Sequence, residues 1–240
     1  MMTAVILAAG VSSRLRPLTD SIPKALLPIA GRPLLQRTLV ALQNAGIGQA
    51  VVVTGYHRGR LEAFLQTLDL QLNITLIHNP RFATTGNNYS LWLTAPIMAD
   101  RRMLLMDADI LFDGRILDRL KAERHEDALV VRTTGRLGDE EVKVQADAHG
   151  FVVRIGKELA PSMAAGESVG IERFSALTTQ ALFASLAQRK DRHEFYESSF
   201  QEIIDAGARI RMVDSAPYQC LEIDTLEDFH AAEIVAKTLD

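Results

Sequence analysis

Leu7-Ala8-Ala9-Gly10-Val11-Ser12-Ser13-Arg14-Leu15-Arg16-Pro17-Leu18-Thr19-Asp20-Ser21-Ile22-Pro23-Lys24-Ala25-Leu26-Leu27-Pro28 is the stretch from which the rest of the chain is read. An apolar strand pattern, Val5 to Ala9, runs into a loop of small residues that delivers Arg14 and then Lys24. Small residues let backbone N–H groups approach an anion closely. Arginine as a planar fork and lysine as a point charge can then neutralise a triphosphate. The spacing is not that of G-x-x-x-x-G-K-[ST], which excludes a P-loop, and a single glycine excludes G-x-G-x-x-G. From the residues alone two readings stand: a phosphate cradle, or a solvated basic loop behind a buried strand.

The chain has 240 residues, enough for one large domain or two small ones with a substantial core. Its 48% hydrophobic and 23% charged content is that of an ordinary globular protein. A net charge of −4 and a pI near 5.9 argue against a nucleic-acid binder, which needs a basic face. No apolar run approaches the ~18 residues that span a bilayer, so no membrane insertion is expected. Met1 to Gly10 looks superficially like a signal segment but lacks a basic start, and Arg14 and Arg16 follow at once. The one cysteine, Cys220, excludes an intrachain disulfide and fits a reducing cytoplasm, which is the expected location. It reads as a small buried hydrophobe rather than a reactive thiol. No Cys/His cluster has zinc-ligand spacing, and there is no internal repeat or linker.

Strands and helices alternate through the first half. A helix from Pro33 to about Ala45 closes at Gly46. Ala50 to Thr54 is an apolar run of the buried parallel type, and Gly55-Tyr56-His57 turns into a helix carrying Leu61, Phe64, Leu65 and Leu68. Ile74 to His78 is a third strand. A turn-rich loop, Asn79 to Asn88, leads into a helix with Leu91, Trp92 and Ala95. Met103 to Met106 is a fourth strand ending in Asp107-Ala108-Asp109. This order predicts an α/β fold with a doubly wound sheet and ligands beyond the strand carboxyl ends, where Gly10, Gly55, Gly86 and Asp109 fall.

The second half changes character. Glu141–Gln145 and Phe151–Ile155 flank Asp147-Ala148-His149-Gly150 as a hairpin. Glu167 to Phe174 reads as a strand, with helices following at about Ser175–Gln188 and Glu194–Ala206. Arg209–Val213 and Cys220–Ile223 read as strands, and Thr225 starts a terminal helix. The expectation is a single domain over 1–240: a nucleotide-binding core at 1–135, a hairpin and helical lid that binds the acceptor at 136–225, and a terminal helix at 226–240.

The opening stretch resembles the signature of the sugar-1-phosphate nucleotidylyltransferase superfamily, L-A-A-G-x-G-x-R-L-x-P-L-T-x-x-x-P-K-x-L-L-P-I. It matches at Leu7, Ala8, Ala9, Gly10, Arg14, Leu15, Pro17, Leu18, Thr19, Pro23, Lys24, Leu26, Leu27, Pro28 and Ile29. Ser12 stands where the signature has its second glycine, a strained choice if that position needs positive φ and an acceptable one if it needs only a small side chain. The resemblance implies a Rossmann-like, doubly wound mixed sheet. It also implies a reaction in which a phosphate or phosphonate oxygen attacks the α-phosphorus of a nucleoside triphosphate and pyrophosphate leaves. A phosphomonoester is already largely dianionic at neutral pH, with a second pKa of about 6, so no Ser, Cys or His nucleophile is required. The site must instead align two anions and supply positive charge.

Asp107 and Asp109 at a strand end suit Mg2+, which prefers oxygen ligands, although D-x-D alone does not separate metal ligands from solvated acids. The resemblance assigns the metal to Asp109 with Asp107 as helper. It takes Asp224 as the second ligand, because Glu222-Ile223-Asp224-Thr225 resembles the superfamily's E-I-D-T/S. Lys157 matches the lysine of its E-K-P element, which reaches the acceptor phosphate, with Gly156 and Glu158 replacing Glu and Pro. Arg14, Lys24, Asp109 and Lys157 are thus the expected catalytic residues. The nucleotide is expected against Leu7, Ala8, Ala9, Gly10, Ser12 and Ser13.

Thr85-Gly86-Asn87-Asn88-Tyr89-Ser90-Leu91 resembles the base loop of the cytidylyltransferases of phosphocholine, inositol-1-phosphate and aminoalkylphosphonates. Thr85, Gly86, Asn87 and Asn88 are therefore expected at the base, with a helix N-cap as an equal and compatible role for the asparagines. Glu167–Glu172 and Glu194–Glu197 resemble the same subgroup. For the acceptor, a choline would want an aromatic cage from among Tyr89, Trp92, Phe195, Tyr196 and Tyr218. A primary amine would want carboxylates such as Glu167, Glu172 or Glu197, and a polyol several hydroxyl and amide partners. Tyr89, Lys143, Glu167, Glu172 and Tyr196 are the candidate acceptor residues. The leading expectation is a Mg2+-dependent cytidylyltransferase that takes CTP and a small phosphorylated or phosphonate acceptor for a lipid or surface-polymer head group. Its alternatives are a hexose-1-phosphate nucleotidylyltransferase using UTP or dTTP, and an inactive nucleotide-binding regulatory subunit. Homo-oligomerisation is left open.

Overall fold

Met2–Ala8 is apolar along almost its whole length, the pattern of a strand covered on both faces. The computed structural model, which describes residues 2–135, 137–189 and 193–239, places it inside a mixed nine-stranded sheet. Gln49–Thr54 and Arg102–Asp107 flank it in parallel, and Asn73–His78 extends the parallel part to one edge. Gly166–Phe174 then pairs antiparallel with Arg102–Asp107. It bonds Ala128–Arg132 through a register shift between Ser168 and Glu172, and Arg211–Asp214 lies parallel beyond. At its other end it meets Lys143–Ala146, which forms the expected hairpin with Val152–Gly156.

Successive side chains of the central strand face opposite layers. Ala4, Ile6 and Ala8 pack with Leu35, Leu39, Leu61 and Ile116 from helices Leu34–Asn44, Arg58–Leu65 and Arg115–Ala122. Val5 packs with Leu91, Leu182 and Phe200 from helices Asn87–Trp92, Ala176–Gln188 and Glu197–Asp205. The sheet is thus wound on both sides, as expected. A third cluster lies under the signature loop: Leu15, Leu27 and Ile29 against Leu111, Ile223 and Ala232. It ties the loop carrying Arg14 and Lys24 to the C-terminal helix Leu226–Ala236.

Several boundaries differ from the sequence reading. Pro33 caps its helix rather than opening it, and the helix expected from Glu194 begins at Glu197. Ile110–Phe112, Arg115–Ala122 and Ala128–Arg132 were not anticipated, although Ile116, Leu117 and Leu120 are spaced for one buried helix face.

The terminal helix is fixed by a capping box that also holds the residue before it. The Thr225 hydroxyl accepts from the Asp228 N–H at 3.2 Å, and the Asp228 carboxylate accepts from the Thr225 and Asp224 N–H groups at 2.8 and 3.1 Å. Thr225→Ala should cost about 1 kcal/mol of unfolding free energy in urea denaturation, and an unchanged midpoint would show that the cap carries no stability.

A candidate active site at the strand carboxyl ends

A cavity of about 580 Å3 opens where Met2–Ala8 and Arg102–Asp107 end. Its wall begins with Leu7, Ala8, Ala9, Gly10 and Ser12. A Cβ on Gly10 would meet only the Ser12 Oγ, at 4.0 Å, so the backbone there is open to close approach. Ser12 itself takes φ 51° and ψ 50°, the left-handed region that costs a non-glycine residue roughly 1 kcal/mol. Thr19, fully buried, donates to the Ser12 carbonyl at 3.0 Å and holds that turn. The position therefore does need positive φ, and serine is the strained choice.

Two cations and three carboxylates meet beside this loop. The buried Lys24 ammonium lies 2.8 Å from Asp109 Oδ2 and 2.6 Å from Asp224 Oδ1. Arg14 reaches the other Asp224 oxygen. One oxygen each of Asp109, Glu222 and Asp224 fall within 4.8 Å of one another. Burial alone would lower the lysine's pKa, but Asp109 and Asp224 outweigh it and hold it at about 12. Asp224 moves the other way: burial opposes ionisation, yet Lys24 and then Arg14 keep it below the usual carboxylate range. Glu222 is pushed up to about 8 by burial and by the charges of Asp109 and Asp224. Glu222 is a site residue the sequence reading left out. Its signal was present in Glu222-Ile223-Asp224, two acids with one residue between them at a strand end.

Asp107 does not join this cluster. Its Oδ2 accepts from the Tyr196 hydroxyl at 2.6 Å, and burial, reinforced by Asp109, raises its pKa well above the ordinary value. Gly170, at φ 68°, is required beside it, because a Cβ there would stand 2.7 Å from Asp107 Oδ2. Asp107, Phe195, Tyr196, Glu197 and Lys157 also line the cavity. The Lys157 ammonium sits 3.5 Å from Glu140 and 5.3 Å from the Phe195 ring centroid. Burial raises Glu197 to about 7, against its own backbone N–H and Lys157, which lower it.

Thr85, Gly86 and Asn87 also line the cavity, but the Asn87 Oδ1 is already taken by the Tyr196 N–H at 2.9 Å. Several expected residues lie outside it. Ser13 begins the short turn Ser13–Leu15, and Asn88 is buried at the start of its helix. Tyr89 stacks on Trp92 with ring centroids 5.7 Å apart. Lys143 is buried and donates to the Gly138 and Glu141 carbonyls at 2.9 and 3.0 Å, which pins that loop. Glu167 pairs with Arg132 at 2.6 Å. Glu172 is fully buried behind the wall, with Ser168 donating to it at 3.4 Å. The acceptor roles read for Tyr89, Lys143, Glu167 and Glu172 do not fit these positions.

Residues 4–194 match the family model of the MobA-like NTP transferase domain. A CMP-5'-(3-aminopropyl)phosphonate synthase of Streptomyces rubellomurinus is 33% identical over 145 residues, which is 60% of this chain and 23% of that protein. A UTP–glucose-1-phosphate uridylyltransferase of Haloferax volcanii, AglF, is 34% identical over 130 residues, 53% of this chain and 51% of that one. The chain thus spans only a part of each. The inositol-1-phosphate CTP transferase from T. maritima superposes with a TM-score of 0.83 over 98% of this chain and 95% of its own, at 21% identity, a likeness of fold.

Glu197 makes the folded state bind a proton that the unfolded state has released between its ordinary 4.5 and about 7. Stability therefore falls as pH rises through that window. Urea denaturation at pH 5 and pH 7.5 should show wild type losing stability relative to Glu197→Gln, and parallel pH profiles would contradict the assignment.

Proposed function

This chain belongs to the MobA-like NTP transferase domain family, and from that premise we propose that it is a nucleotidyltransferase that transfers CMP from CTP to a small phosphorylated alcohol or phosphonate. The observation that carries the reading is the convergence of Arg14, Lys24, Asp109 and Asp224 on one cavity from widely separated parts of the sequence. An inactive regulatory subunit would have no reason to keep all four.

The donor set fits a hard divalent cation. All three carboxylates offer oxygen, and the buried Asp109 Oδ1 accepts no hydrogen bond among the described residues. Mg2+ held by Asp109 and Asp224, with Glu222 beside them, would supply Lewis-acid polarisation of the phosphates. Lys24 and Arg14 neutralise the triphosphate from the signature-loop side. The Lys24 ammonium stays charged at any working pH, since its pKa is near 12. The acceptor's dianionic oxygen forms a bond to the α-phosphorus while the bond to the bridging oxygen of the β-phosphate breaks, and pyrophosphate carries that electron pair away. No proton has to be removed from the nucleophile, so the residues act by alignment and charge. Lys157, which lines the same cavity, would hold the acceptor phosphate.

The small residues Ala8, Ala9, Thr85 and Gly86 leave room for a planar base, and similarity to the CMP-forming phosphonate synthase supports cytosine. Among the cavity-lining acids, Glu197 favours a head group bearing an ammonium. A hexose-1-phosphate acceptor with UTP or dTTP is the second reading, supported by AglF. Against it stands Gly156, whose φ of 155° disfavours a side chain, at the position where the resembling superfamily carries a glutamate that contacts sugar hydroxyls.

Pyrophosphate release should be measured for CTP, UTP and dTTP against phosphocholine, 2-aminoethylphosphonate, inositol-1-phosphate and glucose-1-phosphate. CTP with an amine-bearing acceptor should be fastest, and fastest turnover with UTP and glucose-1-phosphate would establish the second reading. Lys24→Ala should lower kcat/KM about 100-fold or more. An unchanged rate at saturating substrates would remove Lys24 from the chemistry.

A further inference from the structure

Tyr196 bonds in two directions at once. Its backbone N–H donates to Asn87 Oδ1 at 2.9 Å, and its hydroxyl donates to Asp107 Oδ2 at 2.6 Å. The side chain is 1% exposed and packs on Phe200 with ring centroids 4.9 Å apart. Asn87 opens the helix Asn87–Trp92 at the end of the base loop, while Asp107 closes the strand that runs on to Asp109. The orientation of the Asn87 amide follows from its partner, because a backbone N–H needs an acceptor and so faces Oδ1, not Nδ2. Gly86 brings the same two segments together: a Cβ there would stand 2.2 Å from the Glu194 carbonyl oxygen and 2.7 Å from that of His193. Loop and lid therefore touch backbone to backbone at this point.

We propose that Asn87 and Tyr196 are positioning residues that clamp the base loop to the acceptor lid, so that the nucleotide and the acceptor each tighten the other's binding. A base resting on Thr85 and Gly86 fixes the loop, and the Asn87 bond carries that order to Tyr196. Phe195 and Glu197, which flank Tyr196 and line the cavity, are then already placed. An acceptor that orders the lid first does the same in reverse, since a coupling free energy between two sites is reciprocal. The inference rests on the proposed reaction only in taking the two ligands to be a nucleoside triphosphate and a phosphorylated or phosphonate acceptor.

Trp92, the one tryptophan, lies in the helix that Asn87 opens and reports on it by fluorescence. The experiment titrates the α,β-methylene analogue of CTP with Mg2+, alone and with saturating phosphocholine or 2-aminoethylphosphonate. In wild type the better of the two acceptors should tighten the analogue about tenfold, and in Asn87→Ala the ratio should fall to within about twofold of unity. Asn87→Asp, whose carboxylate can accept the same N–H, should restore the ratio, which a merely structural role for the side chain would not require. Amide hydrogen exchange at Tyr196 in the free protein should quicken in Asn87→Ala and stay slow in Asn87→Asp. The clamp is overturned by a wild-type ratio in Asn87→Ala, by an Asn87→Asp that behaves as Asn87→Ala, or by an absence of coupling when both ligands bind wild type. If the analogue fails to bind wild type, the proposed reaction falls, and the exchange rates alone then decide the clamp: Tyr196 protection equal in all three proteins refutes it.

Discussion

Three carboxylates with oxygens inside 4.8 Å repel one another, and the site exists because a cation stands among them. Lys24 provides it. Its ammonium is buried, a position that costs several kcal/mol unless paired, and it is paired twice, to Asp109 and Asp224. The two aspartates hold the lysine at about 12 against its burial, and Lys24 with Arg14 holds Asp224 low. Removing Lys24 leaves Asp109 without its cation, while Asp224 keeps Arg14.

The fold is what delivers these groups to one point. Asp109 follows the carboxyl end of a central parallel strand. Asp224 is fixed by the capping box of the terminal helix, and Lys24 by a short turn, Lys24–Leu26, after the signature loop. Beneath them Leu15, Leu27 and Ile29 share a core with Ile223 and Ala232, so the two ends of the chain are packed together before any charge is considered. The same logic accounts for the strained Ser12. The turn must bend left-handed to bring Arg14 to the cavity, and Thr19 and the packed Leu15 hold it there.

Much of this was legible in the sequence, and the failures have physical causes. Alternating strands and helices gave the parallel part of the sheet, and the signature loop marked Arg14 and Lys24. The meeting of Asp109 with Asp224 was available only through the resemblance, because 115 positions separate them and no local pattern encodes the contact. Glu167 and Glu172 misled for a different reason. They lie on a strand whose register shifts between Ser168 and Glu172, so strict alternation does not tell which face each one takes. Lys143 and Tyr89 carry polar groups suited to ligands, yet the chain uses one to tie a loop and the other to stack on Trp92. Asn87 was read at the base, and its oxygen accepts from the Tyr196 N–H.

The central claim is that the buried Lys24–Asp109–Asp224 group marks the place where a divalent ion and the triphosphate meet. Anomalous diffraction from crystals grown with Mn2+ and the α,β-methylene analogue of CTP tests it most directly. The account predicts an anomalous peak bonded to oxygens of both Asp109 and Asp224, with the triphosphate against Arg14 and Lys24. A peak elsewhere, or a nucleotide bound with those two carboxylates still closed on Lys24 and no metal between them, would contradict it.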